Sequence, residues 1–147
     1  MQVEFRECNW SDLWIWIEFT TVPSEGEKQY VEQVLDSWYT VGMLGGYNAT
    51  SMSVQDEGLD ISYMSYDSDA DQLPSLMHNM GNAEYEGQWG RCWFDLGTAD
   101  AMALDILINA MNRLSLEYVG IERMVIGGQG DDWPIPSNEE AHSAHLN

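Results

Sequence analysis

The sequence predicts an α+β fold: a ferredoxin-like βαββαβ sandwich. It would have an antiparallel sheet, two helices on one face, and an extra strand or hairpin at the N-terminus. Three observations predict it. The segments read in the order strand, helix, strand, strand, helix, strand, which is the split βαβ arrangement. The two segments richest in aromatic residues, 13–19 and 89–96, fall where that topology puts its central strands. Two further segments repeat apolar residues at helical spacing.

Taken in order, residues 2–6 alternate polar and apolar, with Val3 and Phe5 on one side, and read as a short edge strand. A turn at 9–12 leads into the strand 13–19. Its alternate side chains point to opposite faces, so Leu13, Ile15, Ile17 and Phe19 share one face while Trp14, Trp16 and Glu18 share the other. Pro23-Ser24 ends it. Ser24 followed by Glu27 is a capping box, and Tyr30, Val31, Val34, Leu35, Trp38 and Val41 then mark a helix over 25–42, stopped by Gly42, Gly45 and Gly46.

Residues 50–55 and 59–66 read as strands joined by a turn at 56–58. The connection 67–88 is long for a compact domain and so a candidate functional loop; within it, residues 74–80 read as a short helix ended by Gly81. The strand 89–96 sets Cys92, Phe94 and Leu96 against Trp89, Arg91, Trp93 and Asp95. Thr98 is placed to cap a second helix over 99–117, and 119–126 is the last strand, closed by Gly127-Gly128. Residues 1–136 are read as a single domain, and 137–147 as an acidic, disordered tail.

The charge is the unusual quantity: 25 acidic residues against 5 basic ones, net −20 over 147 residues. Nucleic-acid affinity comes mainly from Lys and Arg displacing counterions, so direct nucleic-acid binding is not expected. Adsorption to an anionic membrane is disfavoured for the same reason. A basic protein partner would be steered towards such a surface. No apolar run is long enough to span a bilayer. Cys8 and Cys92 show no metal or redox spacing, which fits a reducing compartment, cytosol or stroma.

With the helices over Leu13, Ile15, Ile17, Phe19, Phe94 and Leu96, the other sheet face displays Trp14, Trp16, Trp89 and Trp93. Arg91, Glu18, Asp95, Met64 and Tyr66 surround them. An uncovered apolar patch of that size marks a binding site, and Trp and Arg dominate interface hot spots. The competing reading has the face covered from within, by the N-terminal strand, the 67–88 loop or the segment 133–135. Glu18, Asp95 and Arg91 also admit acid–base chemistry, but an ion pair offsetting semi-buried charge is the simpler reading, and Arg91 and Arg123 are each expected to have a carboxylate neighbour. Asp67, Asp69 and Asp71 open like a calcium loop, yet Gln72 and His78 stand where glycine and glutamate are needed. His142 and His145 beside Glu139 and Glu140 form too weak a pattern to assign a metal. No catalytic residue, cofactor or metal ligand is assigned.

Several segments together resemble a conserved, uncharacterised protein family of cyanobacteria and chloroplasts. They are Phe5-Arg6-Glu7, Asp12-Leu13-Trp14-Ile15-Trp16, Glu27-Lys28-Gln29-Tyr30-Val31, Leu59-Asp60-Ile61-Ser62-Tyr63-Met64, Met77-His78-Asn79-Met80-Gly81, Trp89 through Thr98 and Asp132-Trp133-Pro134. The resemblance implies a photosynthetic setting and carries over no catalytic residues. The expectation is a soluble, acidic protein-binding module: an accessory or assembly factor for a photosynthetic complex, with Trp14, Trp16, Glu18, Trp89, Arg91, Trp93 and Asp95 forming the contact. The alternatives are a pigment- or small-molecule-binding protein or enzyme with its pocket between the sheet and the 67–88 loop, and an acidic decoy of nucleic acid.

Overall fold

The computed structural model describes residues 1–47 and 75–132. Its strands are β1 (Gln2–Phe5), β2 (Leu13–Phe19), β3 (Asn79–Met80), β4 (Glu84–Glu86), β5 (Trp89–Asp95) and β6 (Ile121–Ile126). Its helices are α1 (Glu25–Met43), after β2, and α2 (Ala101–Glu117), after β5; a short 3₁₀ turn, Gly130–Asp132, follows β6. The six strands make one sheet in the order β1-β6-β2-β5-β3, with β4 also paired to β5. The fold is therefore mixed α+β, with β2 and β5 both interior. The strands expected at 50–55 and 59–66, and the tail, lie outside the described residues.

One face of the sheet meets both helices. Leu13, Ile15, Ile17 and Phe19 of β2, Cys92 and Phe94 of β5, and Met124 and Ile126 of β6 pack with Val31, Leu35 and Trp38 of α1 and with Leu104, Leu107 and Met111 of α2. Burying side chains of this size contributes roughly 1.5–3 kcal/mol each relative to exposure. Trp38 ties the layers together. Its ring meets Phe94 edge-on at 5.2 Å, and its Nε1–H donates to the Ala103 carbonyl at 2.8 Å. Gly42 is required by packing rather than as a stop: the Met77 side chain occupies the space a Cβ there would fill.

The α1 start matches the sequence. Glu27 N–H donates to Ser24 Oγ at 3.1 Å, and Ser24 N–H donates to Glu27 Oε1 at 3.0 Å. The α2 start differs. Asp100 is the cap, its carboxylate accepting from Met102 N–H at 3.0 Å, while Thr98 Oγ1 accepts from Leu76 N–H at 2.9 Å. Both residue types cap helices well. The partner that Thr98 finds in Leu76 moves the helix start two residues on.

Two further expectations are corrected. Residues 75–80 form no helix: Asn79–Met80 is a strand on β5, flanked by bonds from His78 N–H to Asp95 O and from Gly81 N–H to Trp93 O. A one- or two-turn helix is marginal on its own, and the free edge of β5 offers the backbone better partners. The sheet is also not purely antiparallel, because β1 pairs parallel with β6, Gln2 opposite Arg123 and Phe5 opposite Ile126. The 6–12 connection must pass the end of β6 to reach β2. It does so over Gly127, at φ +108°, where a Cβ would lie 2.8 Å from the carbonyl oxygens of both Arg6 and Glu7.

Candidate functional site

The other sheet face is built from cross-strand pairs. Trp14 faces Trp93, Trp16 faces Arg91, and Glu18 faces Trp89; on the other side Trp16 faces Val125 and Glu18 faces Arg123. The Trp14 carbonyl accepts from Gly127 N–H and the Trp93 carbonyl from Gly81 N–H, each pointing away from the other. Trp14 and Trp93 are thus a non-hydrogen-bonded pair, and the alternation makes 16/91 and 18/89 the same. Side chains approach closest in such pairs.

Arg91 sits at the centre. Its guanidinium carbon lies 4.4 Å from the Trp14 ring centre and 5.4 Å from that of Trp16. Its Nε–H donates to Glu84 Oε1 at 3.0 Å and its Nη1–H to the Gly130 carbonyl at 2.6 Å. Arg123 repeats the theme: it pairs with Glu18 at 3.2 Å and lies 5.7 Å from the Trp89 ring. A planar cation suits this role because it stacks on aromatic faces while its edge donors reach carboxylates.

The face is partly covered from within. Trp16, Trp89 and Val125 form a buried cluster, with Trp14 packed against it. The cover near Trp14 and Trp16 is the chain leaving β6. Trp16 Nε1–H donates to Gly127 O at 3.0 Å, Gly128 N–H donates to Glu7 O at 3.0 Å, and Gly130 lies against the Trp14 indole, which a Cβ there would meet at 3.0 Å. Strand β1 lies beside β6 at the sheet edge rather than across the face. The remaining candidate covers, residues 67–74 and 133–135, lie outside the described residues, as do Met64 and Tyr66.

Of the seven candidate binding residues, Trp14, Arg91 and Trp93 remain half-buried, and Trp16 and Trp89 are buried. Trp93 Nε1–H donates to Asp12 Oδ1 at 2.7 Å, which leaves its ring at the edge of the open part. Glu18, Arg91 and Asp95 do not converge. Glu18 faces Trp89 while Asp95 is six positions further along β5, about 20 Å away at strand rise. Asp95 accepts from Gly97 N–H at 2.9 Å, and its carboxylate lies 3.8 Å from His78 Nδ1. Both arginines do have the expected carboxylate neighbour. Reasoning from sequence missed Asp12, Glu84 and Gly130; the sequence carries no local signal for such long-range partners.

The titratable groups in the helix-side core are held neutral. Burial pushes the Cys92 thiol up to about 12, with Asp36 adding to it. Burial also raises Tyr85, helped by the hydrogen bond its hydroxyl donates to Glu32 at 2.7 Å. Among the described residues no three His, Cys, Asp or Glu side chains converge as a metal-binding group. No described helix is long and apolar enough to cross a membrane.

A second feature lies on the opposite side of the molecule. Between the outer flanks of α1 and α2 runs a groove of about 440 Å³, floored by Val34, Trp38, Ile106, Ala110 and Leu114. A cavity of about 420 Å³ continues it past Arg113, Glu117 and Tyr118. Tyr30 and Tyr118 stack at 5.3 Å with planes 20° apart.

Comparison with curated proteins and with solved structures returned no match. A family model does match, over residues 1–141, and the chain belongs to that family, a protein family of unknown function designated DUF3531.

Proposed function

We propose that the chain is an acidic protein-binding module on a ferredoxin-like frame, acting as an accessory or assembly factor for a photosynthetic complex. The observation that carries the binding reading is the Trp14–Trp93 pair. It is directly opposed in the β2–β5 register, half-buried, and set at the edge of a face whose other tryptophans are sealed. Aromatic side chains prepared in this way are typical interface anchors. Carboxylates surround them: Asp12 on Trp93, Glu84 on Arg91, and Asp95 two positions along. With a net charge of −20, that rim favours a basic partner and speeds its encounter. The β6-β2-β5 order, with a helix after β2 and another after β5, supports the ferredoxin-like frame. The photosynthetic setting rests on the sequence resemblance alone.

The test is capture of partners from a photosynthetic cell extract at low salt, using the tagged chain beside a Trp14→Ala/Trp93→Ala variant. Circular dichroism and urea unfolding confirm that the variant is folded. The expected result is a partner held by the native chain, released by added salt, and lost by the variant. Equal capture by the folded variant sinks the reading.

A further inference from the structure

We propose that the outer face of α1 and α2 is the contact between two copies of this chain. The first observation is where the charge is missing. The chain has 25 acidic residues, yet none of the ten described residues lining the 440 Å³ groove is acidic. On α1, Glu32 and Asp36 are each two positions from Val34, about 160° around the helix from it, and Glu27, on the Val34 side, lies two turns away at the helix start, where its carboxylate accepts from Ser24 N–H. Two molecules of net charge −20 approach most readily through a patch poor in that charge, and the groove is such a patch.

The second observation is Arg113. The chain has five basic residues. Arg6 pairs with Glu4, Lys28 with Glu25, Arg91 with Glu84 and Arg123 with Glu18. Arg113 makes no ion pair among the described residues. It stands on the groove wall with Glu117, one turn further along α2. An arginine preceding a glutamate by one turn is the poorer order for an intrahelical pair, and no such pair forms. A two-fold axis between the two positions sets Arg113 of each copy against Glu117 of the other. This is the self-complementarity that an isologous contact requires.

Size and chemistry fit. Helices of 19 and 17 residues lying side by side present a surface about 26 Å long and about 20 Å wide. That is roughly 500 Å² per copy, or about 1,000 Å² in total, at the lower bound for a specific interface. The groove accepts side chains and adds to it. Val41, at 42% exposure, and the stacked Tyr30 and Tyr118, at 45% and 61%, supply apolar and aromatic contact around it. The inference does not rest on the sheet-face reading, since it uses the opposite side of the molecule.

Sedimentation equilibrium of the full chain tests it, at about 0.15 M salt, where the Debye length of about 8 Å screens the net repulsion. The expected mass is twice that of one chain. Arg113→Glu and Glu117→Arg each place like charges across the axis and weaken dimerisation at least about tenfold. The double swap restores it to near the native value. Both positions are exposed, so folding is preserved, as circular dichroism checks. A native chain that sediments as a monomer overturns the proposal. So do single variants that dimerise as the native chain does, or a double swap no better than either single.

Discussion

Replacing Arg91 with alanine would remove a side chain that joins β5, β2, β4 and the chain leaving β6. Its side chain is only 16% exposed, so its contacts are worth more than those of a surface cation. The charge-assisted bond to the Gly130 carbonyl contributes about 1.5–3 kcal/mol. The contact with Trp14 and Trp16 adds roughly 1 kcal/mol. The pair with Glu84 adds at most about 1, because Glu84 is 54% exposed. The contributions overlap, so a net loss of about 3 kcal/mol is expected. With a urea m-value of about 2 kcal/mol/M for a domain of this size, the unfolding midpoint falls by roughly 1.5 M. Arg91→Lys keeps the charge but loses the planar fork and the stacking, and is expected to lose about half as much. Tryptophan emission under native conditions shifts to longer wavelength as Trp14 and Trp16 gain water. The reasoning is refuted if Arg91→Ala unfolds within about 0.5 kcal/mol of the native chain, the range of an ordinary surface change, or if lysine matches arginine.

Three further outcomes are expected. Cys92 has a raised folded-state value, so its protonated form contributes stability that is fully present below the ordinary thiol value and is lost as pH rises from 9.0 towards about 12. Urea unfolding across that window should show a loss approaching 1.4 kcal/mol per pH unit from this one group, and Cys92→Ala should flatten the slope; Tyr85 shifts in the same direction. Gly42→Ala gains up to about 1 kcal/mol of helix propensity but drives a methyl group into Met77. It should be a net loss of about 1–2 kcal/mol, partly recovered in background Met77→Ala, as read from denaturation midpoints. Ser24→Ala breaks the capping box and should cost about 1 kcal/mol, with amide exchange at Glu27 and Lys28 rising first.

Much of this fold could be read where a local pattern has one cause. Alternation over β2 and β5 identifies the two interior strands because both faces are loaded with large side chains. Ser24 and Glu27 identify a helix start because the two bonds they make are local. Legibility stops where a distant partner decides. Thr98 and Asp100 are both good caps, and only Leu76 selects between them. Asn79–Met80 has no strand pattern of its own; the free edge of β5 makes it one. Gly127-Gly128 reads as a stop, yet the same residues turn the chain back across Trp14 and Trp16. The helix face was hidden for a different reason. Val34, Val41 and Ala110 fit the apolar period of α1 and α2, so they pass as core. The apolar arc is in fact wider than the stripe that the sheet can cover, and its outer shoulder stays in water.

The two faces differ in what they can hold because the protein has so few cations. Four of the five are committed to carboxylates of the same chain. Two of these, Arg91 and Arg123, lie under or beside the tryptophans of the sheet face, so a partner docking on that face would meet positive charge already neutralised, with Asp12 and Asp95 of the rim not committed to either arginine. Attraction there would be to a basic surface and would be screened by salt. The helix face has the opposite character: its 440 Å³ groove has no acid among the described lining residues, and Arg113 beside it makes no ion pair among the described residues. Added salt strengthens an association of like-charged molecules through that face, because it relieves repulsion between two bodies of charge −20 more than it weakens a single pair of arginine contacts. The sign of the salt dependence therefore assigns an observed association to its face, before any residue is changed.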